Sequence, residues 1–194
     1  MLVKQDLEKL YLEDKVSMME IADQLGCSIH KVAYWMDKHD IKRRSISDAI
    51  YQKHNPNGDP FSIQTISSRA DAKLYGLGVG LYWGEGTKAS KHSVKLGNTD
   101  PALIKAFMQF LIRFFKISQD DFKFGLQIFS DINPVEALSF WIDRLGVKPS
   151  QFYKPTVTIS GSIGTYRRKS QYGVVTLHYH NKKLRDILVG MLPR

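Results

Sequence analysis

The apolar positions of the first fifty residues recur every three or four places, which predicts helices throughout this segment. A helix should begin after Ser17, because Ser17 and Glu20 have the spacing of a capping box, and it should end at Gly26. Ser28 is a favourable N-cap for the next helix, over residues 29 to about 39. Helix, glycine-containing turn and helix is the outline of a helix-turn-helix.

The stretch MMEIADQLGCSIHKVAYWMD resembles the helix-turn-helix family in detail. Its expected core residues are Ile21, Leu25, Val32 and Trp35, with small Ala22 where the helices cross. The DNA-facing side chains of the second helix would then be Ser28, His30, Lys31 and Tyr34, and phosphate contacts would come from Lys42, Arg43 and Arg44. The alternative, an ordinary helical hairpin, leaves this basic tail unexplained.

The pattern changes after residue 50. Residues 51–70 contain the turn cluster NPNGDP without helical or alternating periodicity, so they are predicted to be a linker between domains 1–50 and 71–194. The second domain mixes both periodicities. Helices are predicted over residues 69–84, 101–115, 133–145 and 182–192, and strands over 92–98, 122–129, 156–160 and 174–180. We therefore predict an α+β protein with a mixed, largely antiparallel β-sheet and packed helices, preceded by a small all-α domain.

The charge of the chain indicates a polyanionic partner. The net charge is +9, and residues 146–194 contain nine Lys and Arg but one acid, Asp186. DNA is the expected partner, since no basic amphipathic helix accompanies this charge as membrane-surface binding would require. The candidate DNA-binding residues of the second domain are Lys88, Lys95, Lys123, Lys154, Arg167, Arg168 and Lys169.

Three classes of protein are excluded by the composition. The longest apolar stretch is too short to span a bilayer, so no membrane association is expected. The N-terminus lacks the pattern of a signal peptide. A single cysteine, Cys27, excludes an internal disulfide and a cysteine-rich zinc site. We expect a soluble, cytoplasmic, DNA-associated protein.

The segment GLGVGLYWGEG, residues 76–86, contains five glycines. Their spacing fits neither a dinucleotide-binding loop nor a Walker loop. A helix explains them better, because Gly76, Gly80 and Gly84 are four residues apart and would share one face. Each interior glycine costs a helix roughly 0.5–1 kcal/mol relative to alanine, so close packing of another helix on this face is expected to offset the loss. Gly86 should form a left-handed C-cap.

The stretch GVGLYWGEG resembles the LAGLIDADG motif of homing endonucleases, with Gly80, Gly84, Glu85 and Gly86 at matching positions. The resemblance covers residues 71–194 and implies α-β-β-α-β order after the motif. It departs at Trp83, where the family often has aspartate, and at the helix predicted over residues 133–145, where a minimal half-domain has a hairpin.

The resemblance also implies a function. In that family two motif helices pack together and their terminal acids bind divalent metal at the scissile phosphates, while a curved sheet occupies the major groove of DNA. It implies catalytic roles for Glu85, Asn98 and Lys182, a Mg²⁺ site formed with Glu85 and Gly84, and a homodimer interface at Gly76, Gly80 and Gly84. The predicted activity is that of a magnesium-dependent, site-specific DNA endonuclease, a phosphodiester hydrolase.

Two alternatives stay open. The chain could be a non-catalytic DNA-binding regulator on the same fold, as in WhiA-type sporulation regulators. Taken alone, Asn98 also fits the N-cap region of a helix and Lys182 fits a solvated surface. His178 and His180 share one face of a strand, but without a third ligand we interpret them as surface histidines rather than as a metal pair.

Overall fold

A computed structural model describes residues 1–160 and 170–193, and the chain divides into two compact units, Met1–Pro60 and Phe61–Arg194. The division falls inside the segment predicted as a linker, 51–70, of which residues 51–54 are helical. A helix covers Ile46–His54, capped by Ser45, whose hydroxyl accepts a hydrogen bond from the Asp48 amide. Beyond the division, Phe61 is buried in the core of the second unit.

The first unit is entirely helical. Its elements are α1 (Lys4–Glu8), which continues as a π-helical turn (Lys9–Glu13), α2 (Met18–Gln24), α3 (Ile29–Lys38) and α4 (Ile46–His54). The capping box predicted at Ser17 is present, with reciprocal hydrogen bonds between Ser17 and Glu20. Gly26 has φ of +57°, as the turn between α2 and α3 requires.

The core of the first unit differs from the expected one. Ile21, Ala22 and Val32 are buried as predicted, but Leu25 is 41% exposed because α2 ends at Gln24 and Leu25 lies in the turn. Trp35 is half-buried and stacks on the His39 ring. The core is completed by Met36 of α3 and by three residues outside α2 and α3: Leu7, Tyr11 and Ile41.

The second unit is α+β. Its elements are α5 (Arg69–Glu85), β1 (Val94–Asn98), α6 (Pro101–Phe115), β2 (Lys123–Phe129), α7 (Pro134–Leu145), β3 (Thr156–Thr158), β4 (Val174–Tyr179) and α8 (Lys182–Gly190), with short 3₁₀ turns at Gln119–Asp121 and Pro149–Gln151. The order α-β-β-α-β implied by the resemblance is not observed. A single described strand, β1, separates α5 from α6, because Asp100 and Pro101 start α6 directly after β1.

The sheet has the order β1-β4-β2-β3. Strand β4 lies in the middle and pairs antiparallel with both β1 and β2, whereas β3 pairs parallel with β2 at the edge. The sheet is therefore mixed and largely antiparallel, as predicted.

One face of the sheet carries the core and the other does not. Alternate residues of β1, β2 and β4 are buried against the helices, and the fully buried aromatics include five phenylalanines of α6 and β2 together with Trp141 of α7. The intervening residues of the same strands point to the opposite face, which we call the open face. Its described residues are Lys95, Gly97, Lys123, Gly125, Gln127, Phe129, Val174, Thr176 and His178.

Candidate nucleic-acid interface

The open face carries a row of three basic or polar side chains across the sheet. His178 on the central strand pairs in register with Lys95 on one side and with Lys123 on the other. Directly opposite residues in an antiparallel sheet have their Cβ atoms about 4.5–5.5 Å apart, so Lys95 and Lys123 are the cross-strand neighbours of His178 on its two sides. Lys95 and Lys123 were both predicted to bind DNA. The sheet brings them together, and the sequence pattern alone did not.

The next row of the open face is made of small side chains. Thr176 pairs in register with Gly97 and with Gly125. A methyl group added at Gly97 would lie 2.9 Å from Thr176 Oγ1, and one added at Gly125 would lie 3.3 Å from His178 Nε2. The two glycines therefore leave space for the side chains of Thr176 and His178 on β4. Because neither glycine has a side chain, this row projects less from the sheet than the row that contains the two lysines.

His178 is uncharged on this face at neutral pH. Burial, followed by the neighbouring Lys95 and then His180, lowers the pKa of His178 to about 4. Its Nδ1 atom is buried and has no hydrogen-bond partner among the described residues. The positive charge of the row therefore comes from the two lysines.

Tyr153 adds an aromatic edge to this cluster. Its hydroxyl and His180 Nε2 are 2.7 Å apart, and its ring meets the His178 ring edge-to-face with centroids 5.6 Å apart. Sequence analysis missed Tyr153, because its place depends on the bridge of the preceding Phe152 to Phe124, a pairing across 28 residues that no local pattern indicates.

Helix α5 contains the glycine stretch, and its glycines have two different roles. Gly78 is buried, and a Cβ atom there would come 2.6 Å from Phe110 Cδ1 and closer still to Cγ. Gly76, Gly80 and Gly84 are exposed, and an added Cβ would meet nothing within 4 Å. The close helix contact inside this chain therefore involves Gly78, and the stripe of three glycines faces outward within the described residues.

Large apolar side chains border this exposed stripe. Leu77 is 46% exposed and Trp83 is 57% exposed on α5. This side of α5 therefore exposes apolar surface in a single chain, within the residues that the structure describes. The opposite side of α5 is fixed to α6, since Arg113 forms a two-bond ion pair with Asp71 and Phe110 fills the space above Gly78.

Glu85 is the last residue of α5, and its side chain is exposed. Gly86 follows in an extended conformation with φ of −70°, not in the predicted left-handed cap. It has to be glycine for another reason, because a Cβ there would collide with the carbonyl and ring of Tyr82. Gly86 also forms a bridge to Leu96, which fixes the end of α5 beside β1. Lys88 donates to the Trp83 carbonyl at 2.5 Å and so closes the last turn of α5.

The other two predicted catalytic residues do not join Glu85 in one cluster. Asn98 ends β1, and its side chain accepts from the Asp100 amide at 2.9 Å, as in an N-cap region. Lys182 begins α8 after β4 and pairs with Asp186 at 2.5 Å. Since the first residue of β1 pairs with the last of β4, Asn98 and Lys182 lie toward opposite ends of this strand pair, and β1 itself spans about 13 Å.

In the first unit, the residues of α3 and its N-cap that were predicted to face DNA are exposed. Ser28, His30, Lys31 and Tyr34 are all exposed. The Ser28 hydroxyl also accepts from the Lys31 amide at 3.3 Å and caps the helix. These four side chains are available to a partner, although one hydroxyl lone pair of Ser28 is already used.

The three residues of the basic tail differ in their contacts. Lys42 is exposed, and Arg43 forms an exposed ion pair with Asp37. The Arg44 guanidinium instead donates to the Val16 carbonyl at 2.6 Å and stacks on the Tyr11 ring at 3.9 Å. We therefore assign Arg44 to holding the first unit together.

One of the remaining predicted DNA-binding residues, Lys154, lies in the segment before β3. Lys154 is exposed directly after Tyr153. Arg167, Arg168 and Lys169 lie outside the described residues.

Two findings on metals and membranes refer only to residues 1–160 and 170–193. No three His, Cys, Asp or Glu side chains come together there as a metal-binding group. A Mg²⁺ ion at Glu85 would thus need further ligands from a second copy of the chain or from DNA. No helix in this part of the chain is long and apolar enough to cross a membrane. Comparisons with protein-family models, with curated proteins and with solved structures each found no match.

Proposed function

We propose that this protein binds double-stranded DNA sequence-specifically, with the open face of the sheet and the exposed side of α3 as its two contact surfaces. The observation that carries the proposal is the row Lys95–His178–Lys123, in which a lysine stands on each side of an uncharged histidine in the sheet. Lysines bind phosphates and release counterions, while the low row of Gly97, Thr176 and Gly125 leaves space beside them.

The resemblance to LAGLIDADG proteins extends the proposal to DNA cleavage by a homodimer in the cytoplasm. One exposed carboxylate, Glu85, is too few for a metal site, but two copies packed through the glycine stripe would bring two carboxylates together. A bound Mg²⁺ would supply charge stabilisation and an activated water for phosphodiester hydrolysis. The chain's own part is to hold Glu85 at the end of a rigid helix, fixed by the Gly86–Leu96 bridge.

A non-catalytic DNA-binding regulator is the second candidate. It is favoured by the placement of Asn98 and Lys182, which lie toward opposite ends of β1 and β4 and are engaged in a cap and an ion pair. It requires the same contact surfaces but no metal at Glu85.

DNA binding is tested by fluorescence anisotropy with a random 30-base-pair duplex over a KCl series. Each phosphate contact contributes about 0.9 to the slope of log K against log salt, so changing Lys95 and Lys123 together to alanine should reduce the slope by about 1.8. Lys148→Ala is the control, since Lys148 is an exposed lysine paired with Asp120. An unchanged slope in the double variant would remove the open face from the interface.

Cleavage is tested separately with a plasmid library in Mg²⁺. An endonuclease is expected to cut, and Glu85→Gln should abolish cutting while leaving DNA affinity equal or slightly higher, because a negative charge facing phosphate is removed. Cutting that survives in a folded Glu85→Gln protein would contradict the catalytic role of Glu85. Binding without cutting in both proteins supports the regulator.

A further inference from the structure

Tyr153 and His180 form a pair that the proposed DNA contacts do not require. The phenol oxygen and His180 Nε2 are 2.7 Å apart, and Tyr153 is 44% exposed, so the hydroxyl is reachable from solvent. When the His180 ring carries its proton on Nδ1, the hydroxyl donates to Nε2. This is the hydrogen bond of a nucleophile and its base.

The backbone holds this tyrosine firmly. The Tyr153 amide donates to the Phe124 carbonyl at 2.8 Å, which anchors it to β2. The preceding Phe152 stacks on Phe124 with ring centroids 5.2 Å apart. One backbone hydrogen bond and one aromatic stack thus fix the segment, and the His178 ring packs edge-to-face against Tyr153 itself. A side chain held at both its backbone and its ring loses little further freedom when a substrate arrives.

The surroundings of the pair are positively charged. His178, which touches the Tyr153 ring, lies between Lys95 and Lys123 in the sheet. Lys123 donates to the Ser150 carbonyl at 3.3 Å, and Lys154 is exposed directly after the tyrosine. Cations at this position would hold a phosphate near the hydroxyl and stabilise the negative charge that develops during attack on phosphorus.

We propose that Tyr153 is a nucleophile that attacks phosphodiesters on the open face, with His180 as its general base. A bond forms between Tyr153 Oη and phosphorus, and the bond from phosphorus to the leaving oxygen breaks. The phenol proton passes to His180 Nε2 and then to the leaving oxygen. The products are a phosphotyrosyl ester and an alcohol, and no other reactant is consumed. The inference rests on the proposed function only in that DNA binding delivers the phosphodiester to this face.

The test uses the full chain and thymidine 5′-(4-nitrophenyl phosphate), a small activated phosphodiester that needs no recognition sequence. The reaction is run in EDTA, which removes the divalent metal on which cleavage through Glu85 depends. The wild-type protein should release up to one equivalent of 4-nitrophenolate and gain one thymidylyl group, located by peptide mass spectrometry on Tyr153. His180→Ala should slow the release by about 100-fold, the usual scale of general-base catalysis.

Tyr153→Phe should give no adduct while keeping the ring contact with His178. Tyr172→Phe is the control and should form the adduct normally, because Tyr172 contributes its ring to a stack on Phe140 and its carbonyl to Trp141. Circular dichroism verifies that each variant is folded, and His180→Ala provides a second test if Tyr153→Phe is not. No adduct in the wild type, or an equal adduct in Tyr153→Phe, would overturn the inference.

The same preparations separate this inference from the proposed function. Anisotropy with duplex DNA measures binding, and the nitrophenyl ester measures nucleophilic attack without it. DNA binding with no adduct would refute the role of Tyr153 alone. An adduct on Tyr153 without DNA binding would refute the proposed function and leave the nucleophile established.

Discussion

Replacing single glycines of α5 by alanine distinguishes the two roles that the structure gives them. Gly78→Ala places a methyl group 2.6 Å from Phe110 Cδ1, although real carbon contacts are about 3.5–4.0 Å. The Phe110 ring cannot move aside easily, because it is fully buried and contacts the rings of Tyr75, Phe107, Phe114 and Phe115. Overpacking of this kind costs about 1–3 kcal/mol, against a gain of about 0.5–1 kcal/mol from better helix propensity.

The matched variant is Gly80→Ala, where the added methyl group meets nothing within 4 Å of its own chain. A monomer should gain about 0.5–1 kcal/mol from this change. If the stripe packs on a second copy, the same methyl group should instead weaken the dimer. Urea unfolding followed by circular dichroism measures stability, and sedimentation velocity measures the dimer. Equal stabilisation by Gly78→Ala and Gly80→Ala would refute the packing argument.

Three further predictions concern single contacts. Arg44→Ala should destabilise the first unit by about 1–3 kcal/mol in urea unfolding, because the Val16 carbonyl and the Tyr11 ring lose their partner. Arg43→Ala, which breaks only an exposed ion pair, should cost under about 1 kcal/mol. Similar losses in both variants would contradict the assignment of Arg44 to holding the first unit together. Gly86→Ala should lower the melting temperature through collision with Tyr82, and an unchanged value would show that the turn adapts. The pKa of His178 is about 4 in the folded state, below its ordinary value of 6.5. Between these two pH values the unfolded chain binds an extra proton, so stability decreases as the pH is lowered, by about 1–2 kcal/mol after allowance for the partial exposure of the ring. His178→Gln should remove this loss, and an unchanged pH profile would be evidence against it.

The helix boundaries of this protein could be predicted because their signals are local. Ser17 and Ser28 each accept a hydrogen bond from the first turn of the helix that they were expected to cap. Pro101 and Pro134 occupy first positions of helices, where proline is pre-organised. Such signals involve residues within four positions, so no knowledge of the fold is needed to use them.

The candidate site could be predicted only in part, because it depends on contacts between distant segments. The alternation of β4 indicated that His178 and His180 share a face, but the pairing of His178 with Lys95 and Lys123 joins residues 83 and 55 positions apart. Likewise, the spacing of Gly76, Gly80 and Gly84 predicted a common face correctly, yet it could not show whether that face meets α6. Packing gave that position to Gly78, because Phe110 needs the space.

The open glycine stripe and the lone Glu85 raise the same question about a second copy. Three exposed glycines cost α5 about 1.5–3 kcal/mol relative to alanine, and no contact described within the chain requires them. The neighbouring Leu77 and Trp83 leave apolar surface in water, which adds to the cost of leaving the stripe uncovered. A second copy would cover this surface and bring two Glu85 carboxylates close to each other. Within residues 1–160 and 170–193, no group of three His, Cys, Asp or Glu side chains could hold a metal at Glu85, so a metal there would need ligands from a second copy or from DNA. Sedimentation of the wild-type chain and the metal-free Tyr153 assay therefore address different halves of one problem: which residues of this chain can act on a phosphodiester.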